Sequence, residues 1–218
     1  MNRKTFIFDL DGVIVDTARY HFLAWQKISD ELGVEFTPEH NEQLKGVSRV
    51  RSLDIILELG KINASQNDKE RWLQQKNEDY LHYIENMNES EILDGVVHVL
   101  SYLRAKDQLI ALGSASKNAR PILDRVNIRH FFDAIVDGND VTNAKPDPEV
   151  FLNAARQLDS AVEDCIVFED SVAGIQAANI GGMTSVGIGD SKILQEAQYI
   201  FPDFTHINST FLETLIKK

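Results

Sequence analysis

TFIFDLDG, residues 5–12, is the most informative segment of this sequence, because it places two carboxylates directly after a strand-like run. Its first half, residues 5–8, is a short apolar run of the kind that forms a buried strand. Because alternate side chains of a strand share a face, Asp9 and Asp11 can both address one ligand, and Gly12 lets the backbone turn sharply away. The same tetrad also opens calcium loops and ordinary turns, so its meaning depends on the rest of the chain.

Four more runs of β-like character follow, at residues 109–113, 134–136, 165–168 and 185–188. Helix-length segments separate the later runs. Strands that alternate with helices in this way predict an α/β fold. We expect a Rossmann-like core, in which a parallel sheet is joined by right-handed crossovers and carries helices on both faces.

Polar side chains follow these runs at the points where the strands are expected to end. In an open parallel sheet, ligands bind beyond the carboxyl ends of the strands. The side chains expected at this rim are Asp9 and Asp11, Ser114 and Ser116, Asp137, and Glu169 and Asp170. The sequence therefore predicts a binding site at this edge of the sheet.

The stretch after the first strand breaks the alternation. It shows helical periodicity, with side chains such as Trp25 and Ile28 on one apolar stripe. We interpret residues 16–92 as an α-helical cap domain inserted into a core made of residues 1–15 and 93–218. Because the insertion leaves and returns at the rim, a hinged cap that closes over the site is favoured. A helical subdomain packed rigidly on the sheet is the alternative.

Composition and charge exclude several classes of protein. The 218 residues are 43% hydrophobic and carry a formal net charge of −12, which suits a globular protein that avoids nucleic acids and anionic membranes. No run approaches the roughly 20 apolar residues of a membrane helix, and the start of the chain leads into a strand instead of a signal peptide. We therefore expect a cytoplasmic monomer, with Cys165 as a small core residue.

The residues at the rim have the types that phosphoryl transfer needs. Asp9 can attack phosphorus and form an aspartyl phosphate, which divides the transfer into two steps. Mg²⁺ prefers oxygen ligands, and the predicted site consists of the carboxylates of Asp9, Glu169 and Asp170 with the carbonyl of Asp11. The ordinary alternative for Glu169 and Asp170 is the acidic first turn of a helix.

Two further pieces would hold the transferring phosphoryl group. The ammonium of Lys145 would offset its negative charge, while the hydroxyl of Ser114 and the N–H groups of Ser114 and Ala115 would donate to its oxygens. A loop cation and a helix N-cap are the ordinary explanations of Lys145 and Ser114. The order of all these pieces, each after a successive strand, favours the phosphoryl-transfer site.

Four blocks carry a resemblance to a known family: FDLDGV at 8–13, Ser114, KPDP at 145–148, and EDS at 169–171 with Gly174. They resemble the motifs of the haloacid-dehalogenase-like phosphotransferases, and the resemblance spans nearly the whole chain. It implies that Asp9 is the nucleophile and that Asp11 is the general acid/base. The position of the predicted helical cap matches that family as well.

Other segments resemble the sugar-phosphate mutases of this family rather than its phosphatases: residues 41–49, Ser52, 76–77 and 114–118. This closer resemblance implies an isomerase that interconverts β-D-glucose 1-phosphate and D-glucose 6-phosphate through an aspartyl phosphate and β-glucose 1,6-bisphosphate. The residues implied at the substrate are Trp25, Gly46, Val47, Ser48, Arg49, Ser52, Lys76, Ala115, Ser116, Lys117 and Asn118. Among them, Arg49 and residues 116–118 would grip the phosphate that is not reacting.

The resemblance also implies helpers on the cap side. His21 and Lys76 would bind the substrate and help to gate Asp11, so that closure over a sugar excludes water. Thr17 is placed at the catalytic site, and its region, with Gly46, would permit the movement of the cap. Ordinary alternatives stay open: a partly buried histidine beside Trp25, a solvated lysine, and a surface charge for Arg49. Two alternative functions stay open as well, an Mg²⁺-dependent sugar-phosphate phosphatase and a non-catalytic phosphosugar-binding protein.

Overall fold

The computed structural model describes residues 3–217 of the chain. Its strands are β1 (Thr5–Phe8), β2 (Leu109–Gly113), β3 (Ala134–Val136), β4 (Cys165–Glu169), β5 (Thr184–Ile188) and β6 (Tyr199–Phe201). They form one sheet in the order β3-β2-β1-β4-β5-β6, and every neighbouring pair is parallel. The predicted α/β class with a Rossmann-like parallel sheet is confirmed.

The five predicted strands lie where the sequence placed them. β4 extends to Glu169 and β5 begins at Thr184, while β1 to β3 have the predicted bounds. The prediction missed β6, which pairs with β5 at the edge of the sheet. Its three residues are apolar but only half-buried, and so short a run at the edge of a sheet does not by itself identify a strand.

The helices are α1 (Ala18–Leu32), α2 (Pro38–Glu42), α3 (Arg49–Gly60), α4 (Gln66–Ile84), α5 (Val96–Ala105), α6 (Ala119–Arg125), α7 (Glu149–Gln157), α8 (Val172–Ile180) and α9 (Ser209–Lys217). Short 3₁₀ turns lie at Glu89–Glu91, Arg129–Phe131, Val162–Asp164 and Phe204–His206. Within residues 3–217, no helix combines the length and the apolar character that crossing a bilayer requires.

Hydrophobic layers cover both faces of the sheet. Along β1, Phe6 and Phe8 point into one layer and Ile7 into the other, as the period of a strand requires. The ring of Phe8 stacks on that of Phe168 in β4 with centroids 4.8 Å apart. In the opposite layer Ile7 belongs to the same cluster as Phe151 of α7. β1 is therefore buried on both sides and fixes the position of the residues that follow it.

The chain adds strands to one side of β1 and then to the other, so β1 lies at a topological switch point. The chain runs from β1 to β2 and β3 on one side, then crosses to β4, β5 and β6 on the other. Such a switch point leaves a crevice at the carboxyl ends of the central strands, which is where open α/β sheets bind ligands. Asp9 follows β1 in this crevice, flanked by Ser114 after β2 and by Asp170 after β4.

The helices α1 to α4 come between β1 and β2 and build a hydrophobic cluster of their own. Trp25, Ile56 and Trp72 lie in this cluster, apart from the two layers of the sheet. The two connections to the core run side by side, because the N–H of Leu93 donates to the carbonyl of Ile14 at 3.0 Å. This arrangement agrees with a helical insertion, while the domain boundaries and the hinge stay predictions.

Candidate active site

A cavity of about 550 Å³ lies between the rim of the sheet and the helical insertion. Both parts contribute to its lining. The predicted site residues that line it are Asp9, Asp11, His21, Trp25, Gly46, Val47, Ser48, Arg49, Ser52, Lys76, Ser114, Ala115, Ser116, Lys117, Asn118, Lys145 and Asp170. Two predicted residues, Thr17 and Glu169, lie behind this lining and contact it through hydrogen bonds.

Lys145 joins two carboxylates at the floor of the cavity. Its Nζ atom donates to Oδ1 of Asp9 at 2.7 Å and to Oε1 of Glu169 at 2.6 Å. Burial lowers the pKa of Lys145, but Asp9 and Glu169 more than offset that effect and hold the pKa above its ordinary value. The side chain therefore stays a cation beside Asp9, and the loop-cation alternative is wrong, since Lys145 is only 3% exposed.

Three carboxylates meet beside this lysine. Oxygen atoms of Asp9, Glu169 and Asp170 all lie within 4.8 Å of one another. Burial and the charge of Glu169 raise the pKa of Asp170 to about 7, although Lys45 lowers it. Burial also raises the pKa of Asp9 well above its ordinary value. This donor set of hard, crowded oxygens fits a divalent cation, which would offset the repulsion among the carboxylates.

Glu169 differs from the other two members of this cluster because its oxygens already have partners. While Oε1 accepts from Lys145, Oε2 accepts from the N–H and the hydroxyl of Ser171, both at 2.8 Å. Glu169 is fully buried and does not line the cavity. In this structure it orients Lys145, and its part in a metal site stays a prediction.

Residues of the helical insertion contact the carboxylate of Asp11. The hydroxyl of Thr17 donates to Oδ1 of Asp11, and Nε2 of His21 lies 3.6 Å from the same oxygen. Burial raises the pKa of Asp11, but His21 and Thr17 lower it more, so the net pKa lies below the usual range. Asp11 is therefore an ionised carboxylate that accepts hydrogen bonds in this arrangement.

Lys76 is buried and contacts the Nδ1 side of the His21 ring. Its Nζ atom lies 2.9 Å from Nδ1 of His21, and 5.1 and 4.5 Å from the ring centroids of Trp25 and Tyr80. Burial and the charge of Arg49 lower the pKa of Lys76 to about 7. With 2% of its surface exposed, Lys76 is not the solvated charge of the ordinary alternative.

His21 packs against the ring of Tyr80 as well as lying near Asp11. The two ring centroids lie 4.3 Å apart. Burial and Lys76 lower the pKa of His21, so the neutral ring is favoured. Its buried Nε2 atom has no hydrogen-bond partner among residues 3–217, although Asp11 lies close by. His21 is thus a contact of Asp11, and not only a core histidine beside Trp25.

Two polar groups of Ser114, in the loop after β2, already have hydrogen-bond partners within the protein. The N–H of Ser114 donates to the carbonyl of Val136 at 3.0 Å, as a continuation of the sheet. Ser114 Oγ accepts from the N–H of Ser116 at 3.1 Å. The prediction that the Ser114 N–H donates to a phosphoryl group is therefore wrong, because that donor is occupied. The hydroxyl proton of Ser114 remains to serve a ligand.

Arg49 contrasts with its neighbour Arg51 in α3. Arg51 is exposed and pairs with Glu58 at 2.7 Å. Arg49 lines the cavity and makes no ion pair with any carboxylate in the described part of the chain. Burial lowers the pKa of Arg49, since its charge lacks full solvation. A half-buried guanidinium without a carboxylate partner is suited to an anionic group of a ligand.

A model of the haloacid dehalogenase-like hydrolases matches residues 3–182 of the chain. The chain belongs to this family. Within it, the chain is 41% identical to a β-phosphoglucomutase of Bacillus subtilis over 90% of its own length and 88% of that protein. It is 31% identical to a phosphorylated carbohydrates phosphatase of Thermotoga maritima, over 88% of its own length and 89% of that protein.

A solved structure of the same haloacid dehalogenase-like type has a similar fold. The crystal structure of a β-phosphoglucomutase from Clostridium difficile superimposes with a TM-score of 0.94 at 38% identity. The match covers 99% of this chain and 98% of that one. The likeness therefore includes the helical insertion as well as the haloacid dehalogenase-like sheet.

Sequence reasoning overlooked two contacts in this haloacid dehalogenase-like site. Nζ of Lys45 lies 3.3 Å from Oδ2 of Asp170, so the insertion supplies a second cation to the carboxylate cluster. The side-chain amide of Asn118 donates to Oδ1 of Asn77 at 3.1 Å and joins the loop after β2 to α4. Lys45 and Asn77 both stand within segments that carried the resemblance, but their partners lie far away in sequence.

Proposed function

We propose that this chain is an isomerase that interconverts β-D-glucose 1-phosphate and D-glucose 6-phosphate. The proposal rests on one observation above others: the cavity has a separate cation at each of two places. Lys145 lies beside Asp9, and Arg49 lies on the insertion without a carboxylate partner. A sugar that carries two phosphates needs such a pair, and the B. subtilis and C. difficile relatives are β-phosphoglucomutases.

The reaction would proceed through a phosphorylated enzyme. An oxygen of Asp9 attacks phosphorus, the bond to the sugar oxygen breaks, and Asp11 gives that oxygen the proton that it took from an acceptor hydroxyl in the preceding half-reaction. In the second step Asp11 takes the proton from the acceptor hydroxyl, which attacks the aspartyl phosphate. Lys145 and the hydroxyl of Ser114 bind the oxygens of the phosphoryl group throughout.

The carboxylate cluster supports the proposal of an Mg²⁺-dependent enzyme. Asp9 and Asp170, with Glu169 and the carbonyl of Asp11 as predicted ligands, would hold the ion. When bound, Mg²⁺ would neutralise charge that builds up on the phosphoryl oxygens.

The second phosphate is the feature that separates a mutase from a phosphatase. Arg49 would hold the phosphate that is not reacting, together with residues 116–118, while the other phosphate faces Asp9. The intermediate, β-glucose 1,6-bisphosphate, must bind in both orientations. Both phosphate sites therefore have to accept the same group, and a guanidinium fork is suited to this exchange.

Thr17, His21 and Lys76 would couple the sugar to Asp11. All three belong to the inserted segment or its connection, while Asp11 belongs to the core. A sugar that contacts Lys76 would change the partner of His21 and, through it, the position of Asp11. Water makes no such contact, so the aspartyl phosphate would persist until a sugar arrives.

The second candidate is a sugar-phosphate phosphatase with the same core residues and water as acceptor. The T. maritima relative, a phosphorylated carbohydrates phosphatase, favours it. A non-catalytic phosphosugar-binding protein has less support, because Asp9, Asp11 and Lys145 are all present and Lys145 contacts Asp9. We further propose that the enzyme is cytoplasmic and monomeric. Gel filtration tests the monomeric state.

The direct test supplies β-D-glucose 1-phosphate, Mg²⁺ and a trace of glucose 1,6-bisphosphate. Glucose 6-phosphate and inorganic phosphate are measured in parallel. A mutase forms glucose 6-phosphate well ahead of phosphate, whereas a phosphatase releases phosphate alone. Retention of sugar phosphates without turnover would favour the binding protein.

A pair of neighbouring arginines gives a matched variant test. Arg49→Ala should lower mutase turnover by about a hundredfold, since a charged hydrogen-bonding pair to phosphate is lost. Arg51→Ala, in the same helix but exposed and paired with Glu58, should keep wild-type turnover. Equal rates for the two variants would remove Arg49 from the proposed mechanism.

A further inference from the structure

We propose that Arg120, Asp137 and Asn139 form a brace that positions residues 116–118 for the phosphate that is not reacting. The inference rests on the proposed function, which assigns that phosphate to the loop. All three are positioning residues, since their contacts are with the loop and with one another. None of them lines the cavity.

Asp137 is the centre of the brace. It follows β3, is only 1% exposed, and has partners for both of its carboxylate oxygens. Nη1 of Arg120 donates to Oδ2, while the N–H and the side-chain amide of Asn139 donate to Oδ1 at 2.8 and 2.9 Å. A buried carboxylate that is fully paired in this way holds its neighbours in one geometry.

Arg120 ties this centre to the helix that begins directly after the loop. It lies in the first turn of α6, and its Nη2 atom donates to the carbonyl of Ile135 at 2.8 Å and to Oδ2 of Asp140 at 2.7 Å. Oδ2 of Asp140 also accepts from the N–H of Asp137 at 2.9 Å. The guanidinium thus fixes one end of the loop against the turn after β3.

Asn139 and Gly138 contact the loop itself. The side-chain amide of Asn139 donates to the carbonyl of Lys117 at 3.0 Å, and the N–H of Gly138 donates to the carbonyl of Ser116 at 3.2 Å. Gly138 passes so close that a Cβ atom there would lie 2.4 Å from the carbonyl oxygen of Ala115. The turn after β3 is therefore in backbone contact with most of the loop.

The brace acts on one end of the loop more than on the other. Ser114 donates directly to Val136 within the sheet, so its position depends on the sheet and not on Asn139. Ser116 and Lys117 instead use their carbonyls to accept from Gly138 and Asn139, while the carbonyl of Asn118 accepts from Ile122 in α6. Loss of the brace should therefore weaken binding of the phosphate that is not reacting and leave the rate of phosphoryl transfer to Asp9 unchanged.

Two measurements separate these effects. The first is the concentration of D-glucose 6-phosphate that half-saturates its reaction with the Asp9-phosphorylated protein in the presence of Mg²⁺, because the phosphate on Asp9 then leaves only the distant site to the phosphate of the sugar. The second is the rate at which acetyl phosphate phosphorylates Asp9, followed by mass spectrometry of the intact protein. Acetyl phosphate transfers its only phosphoryl group to Asp9, so this rate depends on Asp9, Lys145 and Ser114 and not on the second phosphate site at residues 116–118.

The variants are Arg120→Met and Asn139→Ala, with Arg129→Met as a control that removes an exposed ion pair to Asp124. We expect Asn139→Ala to weaken glucose 6-phosphate binding about fivefold, and Arg120→Met at least tenfold, because each lost hydrogen bond contributes on the order of 1 kcal/mol. Arg120→Lys should recover part of the affinity, since it keeps the charge beside Asp137. Phosphorylation by acetyl phosphate should be unchanged in all of them.

Unchanged affinity in both Arg120→Met and Asn139→Ala would overturn the brace. A parallel loss of affinity and of acetyl phosphate reactivity would also overturn it, because the whole site would then depend on these residues. Asn139 is exposed at the surface, so its variant should fold even where Arg120→Met does not. Failure of the proposed function would appear instead in the wild-type protein, as phosphate release without glucose 6-phosphate.

Discussion

The Nζ atom of Lys76 lies 2.9 Å from Nδ1 of His21. When Lys76 donates to that nitrogen, His21 carries its proton on Nε2, which faces Oδ1 of Asp11 at 3.6 Å. The insertion thereby reaches the predicted acid/base through one histidine. A buried lysine in this position has consequences for stability as well as for catalysis.

Lys76 should make the stability of the protein depend on pH. Burial and Arg49 hold its pKa at about 7 in the folded protein, against an ordinary value of 10.5. The unfolded chain therefore binds a proton that the folded protein lacks between these values, so stability is lowest at and below pH 7 and recovers as the pH rises to about 10.5. Lys76→Met removes this effect.

We expect Lys76→Met to raise the free energy of unfolding by roughly 3 kcal/mol at pH 7 and to leave it unchanged near pH 10.5. The contacts with Trp25 and Tyr80 favour the charged form and keep the gain below the full shift. Urea unfolding at both pH values measures the difference, with the exposed Lys192→Met as control. A gain that is the same at both pH values would contradict the assignment.

Thr17→Val tests the orientation of Asp11. The change removes the hydroxyl that donates to Asp11 and keeps the volume of the side chain. Turnover of β-D-glucose 1-phosphate should fall about tenfold, within the usual contribution of general acid–base catalysis. Phosphorylation of Asp9 by acetyl phosphate should not change, because acetate leaves without a proton. Equal losses in the two reactions, or a loss in the exposed control Thr210→Val, would argue against this role.

Gly174 leaves room for the carboxylate of Glu169. A Cβ atom at this position in α8 would lie 1.9 Å from Oε1 of Glu169, the oxygen that binds Lys145. Gly174→Ala should displace Glu169 and lower stability by about 2–4 kcal/mol, the range for overpacking and a disturbed buried ion pair. Gly33→Ala is the control, since no atom lies within 4 Å there and only its positive φ of 67° is strained.

Thermal unfolding compares the two glycine variants. The melting temperature of Gly174→Ala should fall further than that of Gly33→Ala, and turnover should fall in Gly174→Ala alone. A similar small change in both proteins would mean that Glu169 has space to move without consequence for Lys145.

Removal of divalent cations should abolish turnover, and Mg²⁺ should restore it. Asp170→Asn keeps the shape of the side chain but removes one charge from the carboxylate cluster, so calorimetry should give Mg²⁺ binding weaker by at least tenfold. Glu163→Gln, an exposed change outside the cluster, should bind Mg²⁺ like the wild type. Equal affinity in Asp170→Asn would exclude Asp170 as a ligand.

Much of the fold follows from local patterns in the sequence. The buried runs of β1 and β2 are apolar on both faces, so they stand out as strands, and the polar residues that follow them, Asp9 and Ser114, mark the rim. β6 was not predicted because its apolar run is only three residues long and half-buried at the edge of the sheet. Its position depends on pairing with β5, which is a tertiary effect.

The candidate site follows from sequence only in part. Residue types and order correctly predicted that Asp9 and Asp170 lie together, because they follow the neighbouring strands β1 and β4. Lys145 was also predicted correctly beside Asp9, although it lies in the loop after β3, which is not a neighbour of β1. The contacts of Glu169 with Ser171 and of Lys45 with Asp170 could not be derived, since they depend on side-chain directions and on how the insertion packs. Hydrogen bonds of this kind are set by geometry that no spacing rule encodes.

Transfer of the phosphoryl group from Asp9 to a sugar phosphate can be measured directly. The protein is first phosphorylated at Asp9 with acetyl phosphate and freed of excess reagent, then mixed with D-glucose 6-phosphate and Mg²⁺, and the products are identified by phosphorus NMR. We expect β-glucose 1,6-bisphosphate, formed much faster than the phosphoenzyme loses phosphate to water. Phosphate released at the same rate with and without the sugar, and no bisphosphate, would contradict it.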